Sequence, residues 1–389
     1  MKFLRIIFRS LFGLSIILIL ACLILYITDN AHLIKAVRNT YLLGKTGPTI
    51  DDYPKFENRI VSNGTEEPWN KNKLYNHYQP SSEEVKALEE MKSSAFLVIK
   101  NNELLFEKYW ETYSNSSMTN SFSMAKSFTS LCIGAAIKEG KIKSVEQKVS
   151  DFIPEFKEEE KLNISIKDLL TMSSGINFGE SNGDPFGFMA KVYYGENLYD
   201  LTVQKPVKFD AGKTWHYQGG NSLLLSFILK KATGLSLSEY FSTHFWKPLG
   251  TSKDALWTLN KLNGMEKSYC CFYSNARDYA KIGQLMLDSG RWNGKELIQR
   301  DYFNASIAPV NIPDESGKLI DYYGYQWWLG SHNGIEFYYA RGIQGQYIVS
   351  VPSWNVVFVR LGHKRDPTRG VKIPSDLFTY FDLVEHILE

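Results

Sequence analysis

The stretch 120–141, NSFSMAKSFTSLCIGAAIKEGK, places Ser123 and Lys126 three residues apart at the start of a helix-forming run. Residues at that spacing share a helix face, so a hydroxyl and an amine can meet there. A serine hydroxyl is a weak nucleophile at neutral pH and needs an adjacent base, and a lysine serves as that base when its surroundings keep it neutral. Met124, Ala125, Phe128, Leu131, Ile133, Ala135 and Ala136 surround the pair and would wrap the amine in apolar contacts. Desolvation of this kind lowers a lysine pKa. The first turn of a helix also offers unpaired N–H groups and the positive end of its dipole, both of which favour an oxyanion at Ser123. Ser-x-x-Lys alone describes many solvated surface helices. Here it occurs once in the chain and opens an apolar helix after a pair of strands.

Upstream, 95–99 and 104–110 are apolar, β-rich runs joined through Asn101 and Asn102, the signature of a tight hairpin. Before them, SSEEVKALEEM (81–91) has serine at a cap position, acids in the first turn and apolar residues at helical spacing. Downstream, helices are expected at 166–171, at 222–233 closed by Gly234, at 276–288 and at 374–388. Strands are expected at 323–329, 337–340, 347–351 and 356–361, with a turn at 352–355. Strands at both ends with helices between them imply one sheet assembled from distant parts of the chain and interrupted by a helical insertion.

The N-terminus carries Lys2, Arg5 and Arg9 ahead of an uncharged run, LFGLSIILILACLILYI (11–27), which is long enough to span a bilayer with its basic flank in the cytoplasm. A cleaved signal peptide would want a small-x-small exit, and a lipoprotein signal ending at Cys22 would not continue apolar for five residues beyond it. The expected organisation is a short cytoplasmic N-terminus at 1–10, an uncleaved transmembrane anchor at 11–27, a polar spacer and wrapping segment at 28–79, and a domain at 80–389 held outside the cytoplasm, periplasmic or extracellular. At 389 residues and 44% apolar content the chain can bury a large core. A net charge of +2 gives no basic excess for nucleic acid. Four cysteines, of which Cys270 and Cys271 are adjacent, form neither a disulfide ladder nor a zinc pattern, so neither a structural disulfide nor a metal is assumed.

Taken together, SMAK (123–126), IKDLLTMSSGI (166–176), DAGKTWHYQGGNSLLLSFILKKATG (210–234), ARDYAKIGQLMLDSGRWNG (276–294) and ARGIQGQYIVSVP (340–352) resemble the serine β-lactamase and penicillin-binding superfamily. Within it they resemble the class C-like branch, which includes esterases, D-aminopeptidases and 6-aminohexanoate-dimer hydrolase-like enzymes. The order and spacing of these segments make the match specific, and it covers most of the chain after residue 80. The resemblance implies an α+β, β-lactamase/transpeptidase-like fold: an antiparallel sheet flanked by helices, with a large helical insertion.

It also implies that Tyr217 is a general base with Lys126 and then the proton donor to the leaving group, and that the N–H groups of Ser123 and Ile343 hold the oxyanion. Gly219 stands where the family's Tyr-x-Asn motif has an asparagine that touches substrate and lysine, which argues against efficient β-lactam turnover. The family's strand motif of a cation, any residue and glycine aligns with Ala340, Arg341 and Gly342, leaving alanine in the cation's place. Arg341 points to the other face of a regular strand and reaches a substrate carboxylate only across a bulge. Trp215, Tyr323, Tyr325, Trp327 and Trp328 are candidates for an aromatic wall, although packing is the commoner use. His216 and His363 would serve a Ser-His-Asp scheme, but the G-x-S-x-G spelled by 179–183 (GESNG) runs into Asp184 and Pro185 rather than into an apolar helix, so it does not read as a nucleophile elbow. Arg277 and Asp278 read as capping residues, and Cys132 as core.

The expected function is a membrane-tethered serine hydrolase that cleaves a small-molecule or peptide-like ester or amide through a Ser123 acyl-enzyme, with no metal or cofactor. The alternatives are an acylated sensor or binding module without turnover, disfavoured by the short N-terminus, and a scaffold that has lost its chemistry, disfavoured by the intact Ser123, Lys126 and Tyr217.

Overall fold

The computed structural model describes residues 2–181, 183–367 and 372–389. The apolar N-terminal run lies inside one long helix, α1 (Lys2–Ile27), whose apolar side chains face outward. Only residues 28–31 separate it from α2 (His32–Asn39). The segment 28–79, whose sequence shows little periodicity, also contributes strands β1 (Asn58–Val61) and β2 (Asn70–Lys71).

α3 (Ser82–Glu90) starts at a capping box, with Ser81 accepting from the Glu84 N–H and the Glu84 carboxylate accepting from the Ser81 N–H. β3 (Ser93–Lys100) and β4 (Glu103–Tyr109) are joined by Asn101 and Asn102 at φ 52° and 64°, the left-handed pair that a two-residue hairpin demands. After β5 (Thr119–Asn120) comes α4 (Met124–Lys138), buried at every residue from 124 to 136. A helix apolar on all sides belongs at the centre of a domain.

The insertion holds α5 (Ile166–Leu170), α6 (Phe188–Tyr194), α7 (Leu198–Val203), α8 (Gly219–Thr233) and α9 (Leu237–Phe241). Gly234 closes α8 at φ 78°, as a left-handed terminator should. Strands β6 (Ala255–Thr258) and β7 (Phe272–Ser274) precede α10 (Ala276–Leu287). Two short hairpins, β8 (Arg291–Trp292) with β9 (Lys295–Glu296) and β10 (Ile312–Pro313) with β11 (Leu319–Ile320), flank α11 (Arg300–Ser306). The chain closes with β12 (Trp328–His332), β13 (Ile335–Gly342), β14 (Gln346–Val351), β15 (Val356–Gly362) and α12 (Ser375–Leu388).

The main sheet has seven strands in the order β12-β13-β14-β15-β3-β4-β2, so its two chain ends meet at β15 and β3. It is antiparallel except at its edge, where β2 runs parallel to β4. Alternation along β3 splits the core: Ala95, Leu97 and Ile99 join the cluster around α4, α8 and α10, whereas Phe96 and Val98 join the one under α12. A second, four-stranded sheet, β1-β6-β7-β5, lies beside the start of α4 and was not foreseen.

The expected strand at 323–329 is corrected, since only Trp328 onward extends as β12. Residues 323–327 instead fold back, with Gln326 at φ 61° and Tyr323 bridging Trp328. Hydrogen bonds from Ser130 and Ser127 on α4 to the carbonyls of Tyr325 (2.8 Å) and Gln326 (2.6 Å) hold this turn. Side-chain donors on a neighbouring helix have outcompeted the strand ladder.

Candidate active site

Ser123 is the only half-open residue in a run that is otherwise buried from 119 to 136. Phe122 just before it is 2% exposed and sits at φ 44°, a left-handed backbone that costs a non-glycine residue about 1–2 kcal/mol. The Asn120 side chain holds it there by accepting from the Phe122 N–H at 2.8 Å. Lys126, 3% exposed, donates to Ser123 Oγ at 3.0 Å and to the Tyr269 carbonyl at 2.9 Å.

The Lys126 Nζ lies 5.1 Å from the centroid of the Tyr217 ring. Tyr217 in turn packs 5.2 Å from Trp328 and 6.0 Å from Tyr323, with Trp215 at 6.4 Å. Trp215, Tyr323 and Trp328 therefore gather at Tyr217, joined by Tyr322, which carries no motif of its own. Tyr325 and Trp327 belong to the core around α4 instead. The Arg341 guanidinium stacks 3.9 Å above Trp328, and its Nη1 is buried with no hydrogen-bond partner among the described residues. The strand carries no bulge here: β13 and β14 pair without a slip from Tyr338↔Ser350 to Gly342↔Gln346. Arg341 thus lies on the aromatic side of the sheet, while Ala340 faces the α4 core.

At the end of β13, a Cβ on Gly342 would collide with the carbonyl of Ser121. Glycine is what lets this strand press against the approach to Ser123, bringing the 342–346 turn and the Ile343 N–H to that side of the molecule. Gly219 opens α8, and a Cβ there would meet Tyr269 Cβ at 3.1 Å and Cγ at 3.2 Å. The Tyr269 side chain fills the room that a larger residue at 219 would need.

Two participants escaped the sequence reading. Tyr269 supplies the carbonyl for Lys126, and its own Oη is buried without a partner among the described residues. Burial and the neighbouring Glu180 push that phenol's pKa well above the ordinary tyrosine value. Glu180 accepts from the Gly220 N–H at 2.8 Å, capping α8. Burial raises its carboxyl, against the pull of the Gly219 and Gly220 N–H groups and of the Lys126 charge. Neither residue lies in a recognisable motif. The adjacent cysteines Cys270 and Cys271 are joined by a disulfide, a link that their spacing alone had not implied.

The histidines are occupied elsewhere. His216 pairs with Glu315 at 3.0 Å and His363 with the Tyr113 hydroxyl at 2.9 Å. Arg277 forks onto the buried Glu107, and Asp278 accepts from Ser252 and Asn275, so both are structural. Cys132 is buried in the core. A surface cavity of about 730 Å³ lined by Glu146, Lys148, Lys167 and Asp168 shares no residue with the Ser123 site.

Residues 82–377 match the family model described as Beta-lactamase. The chain is 27% identical over 302 residues to the 6-aminohexanoate-dimer hydrolase of Paenarthrobacter ureafaciens, covering 72% of this chain and 75% of the relative. A solved structure from Bacillus anthracis, provisionally described as a 6-aminohexanoate-dimer hydrolase, superposes with a TM-score of 0.72 at 21% identity over 86% of this chain and 92% of that one. A family VIII carboxylesterase superposes with a TM-score of 0.61 at 14% identity over 80% and 99% of the two chains.

Proposed function

The chain belongs to the beta-lactamase family, and from that premise we propose that it is a serine hydrolase cleaving an ester or amide through an acyl-enzyme on Ser123. The observation that carries this reading is the 3.0 Å approach of Ser123 Oγ to the buried Lys126 Nζ, with the Tyr217 ring beside it. In the proposed reaction Lys126 and Tyr217 take the Ser123 proton as Oγ attacks the carbonyl carbon. The N–H groups of Ser123 and Ile343 hold the resulting oxyanion. Tyr217 passes a proton to the departing amine or alcohol, and water then hydrolyses the ester on Ser123. The hydrolase names of the relatives support this assignment.

Although the strand carries no bulge, Arg341 is proposed to reach a substrate carboxylate from the aromatic side of the sheet, where Trp328, on which it stacks, packs against the Tyr217 ring. A guanidinium with one buried, unpartnered nitrogen beside the Tyr217 aromatic cluster suits that role. The α1 helix is proposed to anchor the domain in a membrane, with Arg5 and Arg9 on the cytoplasmic side and the hydrolase outside. The Cys270–Cys271 disulfide suits such an oxidising compartment. Flotation with liposomes tests the anchor: full-length protein should rise with the vesicles and a chain starting at residue 28 should not.

The decisive experiment treats the protein with a fluorophosphonate and with a penicillin, followed by peptide mass spectrometry and assay with nitrophenyl esters and short amides. Label on Ser123, absent in S123A, with turnover of an ester or amide supports the hydrolase. Permanent penicillin label without turnover supports the sensor alternative, and a folded protein that takes neither label overturns both.

A further inference from the structure

Between β6 and β7 the chain leaves its ladder against Thr258 at Lys267, whose N–H donates to the Thr258 carbonyl at 2.9 Å. It rejoins at Cys271, whose carbonyl accepts from the Thr258 N–H at 3.0 Å. Residues 268–271 bulge toward α4 and α8 and present their polar groups there. Thr129 Oγ1 donates to the Ser268 carbonyl at 3.1 Å, Lys126 Nζ donates to the Tyr269 carbonyl at 2.9 Å, and Ser268 Oγ donates to the Ser222 carbonyl at 2.9 Å. One step beyond the bulge, the Phe272 carbonyl accepts from the Ser121 N–H at 2.7 Å. This short excursion therefore grips both the base and the backbone that leads into the nucleophile.

Two features hold its shape. Trp257 Nε1 donates to the Cys270 carbonyl at 3.0 Å, and the disulfide closes a small ring through the Cys270–Cys271 peptide. Cys271 has φ 66°, a left-handed backbone that a non-glycine residue leaves readily unless something restrains it. The covalent ring removes the torsional freedom by which that residue would relax. Both cysteines are buried, at 4% and 1% exposure, next to a residue that touches the catalytic lysine.

We propose that the Cys270–Cys271 disulfide is a positioning clamp for the active site: by fixing the 268–271 excursion it aims the Tyr269 carbonyl at Lys126 and so holds the amine on Ser123. The cysteines touch no reacting atom, and the inference rests on the hydrolase reading above. Displacing a base by a fraction of the distance it spans lowers the rate of attack without altering how substrate docks.

The test uses the full chain in detergent, with C270A/C271A and with C270A/C271G. Glycine accepts the left-handed backbone without restraint, so the second variant covers the case in which the first does not fold. Fluorophosphonate labelling is followed for rate and for final stoichiometry, and a nitrophenyl ester for kcat and KM. A clamp predicts labelling that runs to one per chain but roughly tenfold or more slower, with kcat down by a similar factor and KM within about twofold. C22A, on α1, keeps wild-type rates. A merely structural link would instead reduce the fraction of chains labelled at an unchanged rate, and that result overturns the proposal. So would wild-type protein of full activity in which alkylation and mass spectrometry find Cys270 and Cys271 as free thiols. Failure of oxidised wild type to take any label at Ser123 would remove the hydrolase reading itself, and is told apart because it needs no variant.

Discussion

At the scale of single side chains, the Ser123–Lys126 hydrogen bond at 3.0 Å makes K126M the most informative change. A positioned proton acceptor contributes about 10²–10⁴-fold, so K126M should slow fluorophosphonate labelling of Ser123 by that order while leaving the melting temperature close to wild type. Y217F should slow turnover more than labelling, because the phenol serves the leaving group and the fluoride of the probe needs no such proton. R341M is expected to raise KM roughly tenfold for substrates bearing a carboxylate, and to leave neutral nitrophenyl esters unchanged, as removal of one charge-assisted hydrogen bond should. Equal effects on both substrates would remove Arg341 from recognition. The nucleophile and base were legible in the sequence because they are separated by one helical turn, and local spacing fixes such pairs. Tyr269 was not, since it reaches Lys126 across 143 residues and contributes a main-chain carbonyl, a group every residue type carries.

Elements were legible where their ends carry their own chemistry. The Ser81 capping box, the Asn101–Asn102 turn and the Gly234 terminator each satisfy or shape backbone locally. β6 and β7 and the 323–327 turn were missed because partners distant in sequence determine them: Trp257 pairs with Phe272, and serine hydroxyls on α4 catch the Tyr325 and Gln326 carbonyls. The start of α8 offers a test at this scale. Because a Cβ at 219 would sit 3.1 Å from Tyr269 Cβ, G219N should lose about 1–3 kcal/mol in chemical denaturation. Y269G removes both that Cβ and the ring, so the double variant G219N/Y269G should be more stable than the sum of the two single losses predicts, by about 0.5–3 kcal/mol of coupling. Simple additivity would show that the two positions do not compete for the same volume.

For the whole molecule, the order of strands and helices implied the sheet and its insertion, but a polar stretch such as 28–79 gave no hint that it supplies two strands and a docked helix. Its interior also holds an unexpected lysine. Lys267 is fully buried, donates to the Tyr193 carbonyl at 2.5 Å and lies 4.2 Å from the Phe56 ring centroid, with no carboxylate bonded to it among the described residues. Burial, helped by Lys35, pushes its pKa well below the ordinary lysine value of 10.5. Above pH 10.5 the amine is neutral folded and unfolded alike. As pH falls, the unfolded chain takes up the proton first, and stability is lost until the folded pKa is passed. K267M should therefore be most advantageous relative to wild type near pH 7, and the difference in melting temperature should shrink as pH rises toward 10. A difference independent of pH would mean that Lys267 titrates normally.

The junction at 28–31 is short, and α2 beyond it is fastened to the insertion by His32 Nε2 meeting the Pro185 carbonyl at 2.8 Å. At about 3.5 Å per residue such a leash extends roughly 14 Å. With α1 seated in a bilayer, the hydrolase could neither swing freely nor reach far. It would graze a thin layer of solution at one fixed attitude, meeting molecules that shed from, or linger at, the lipid surface.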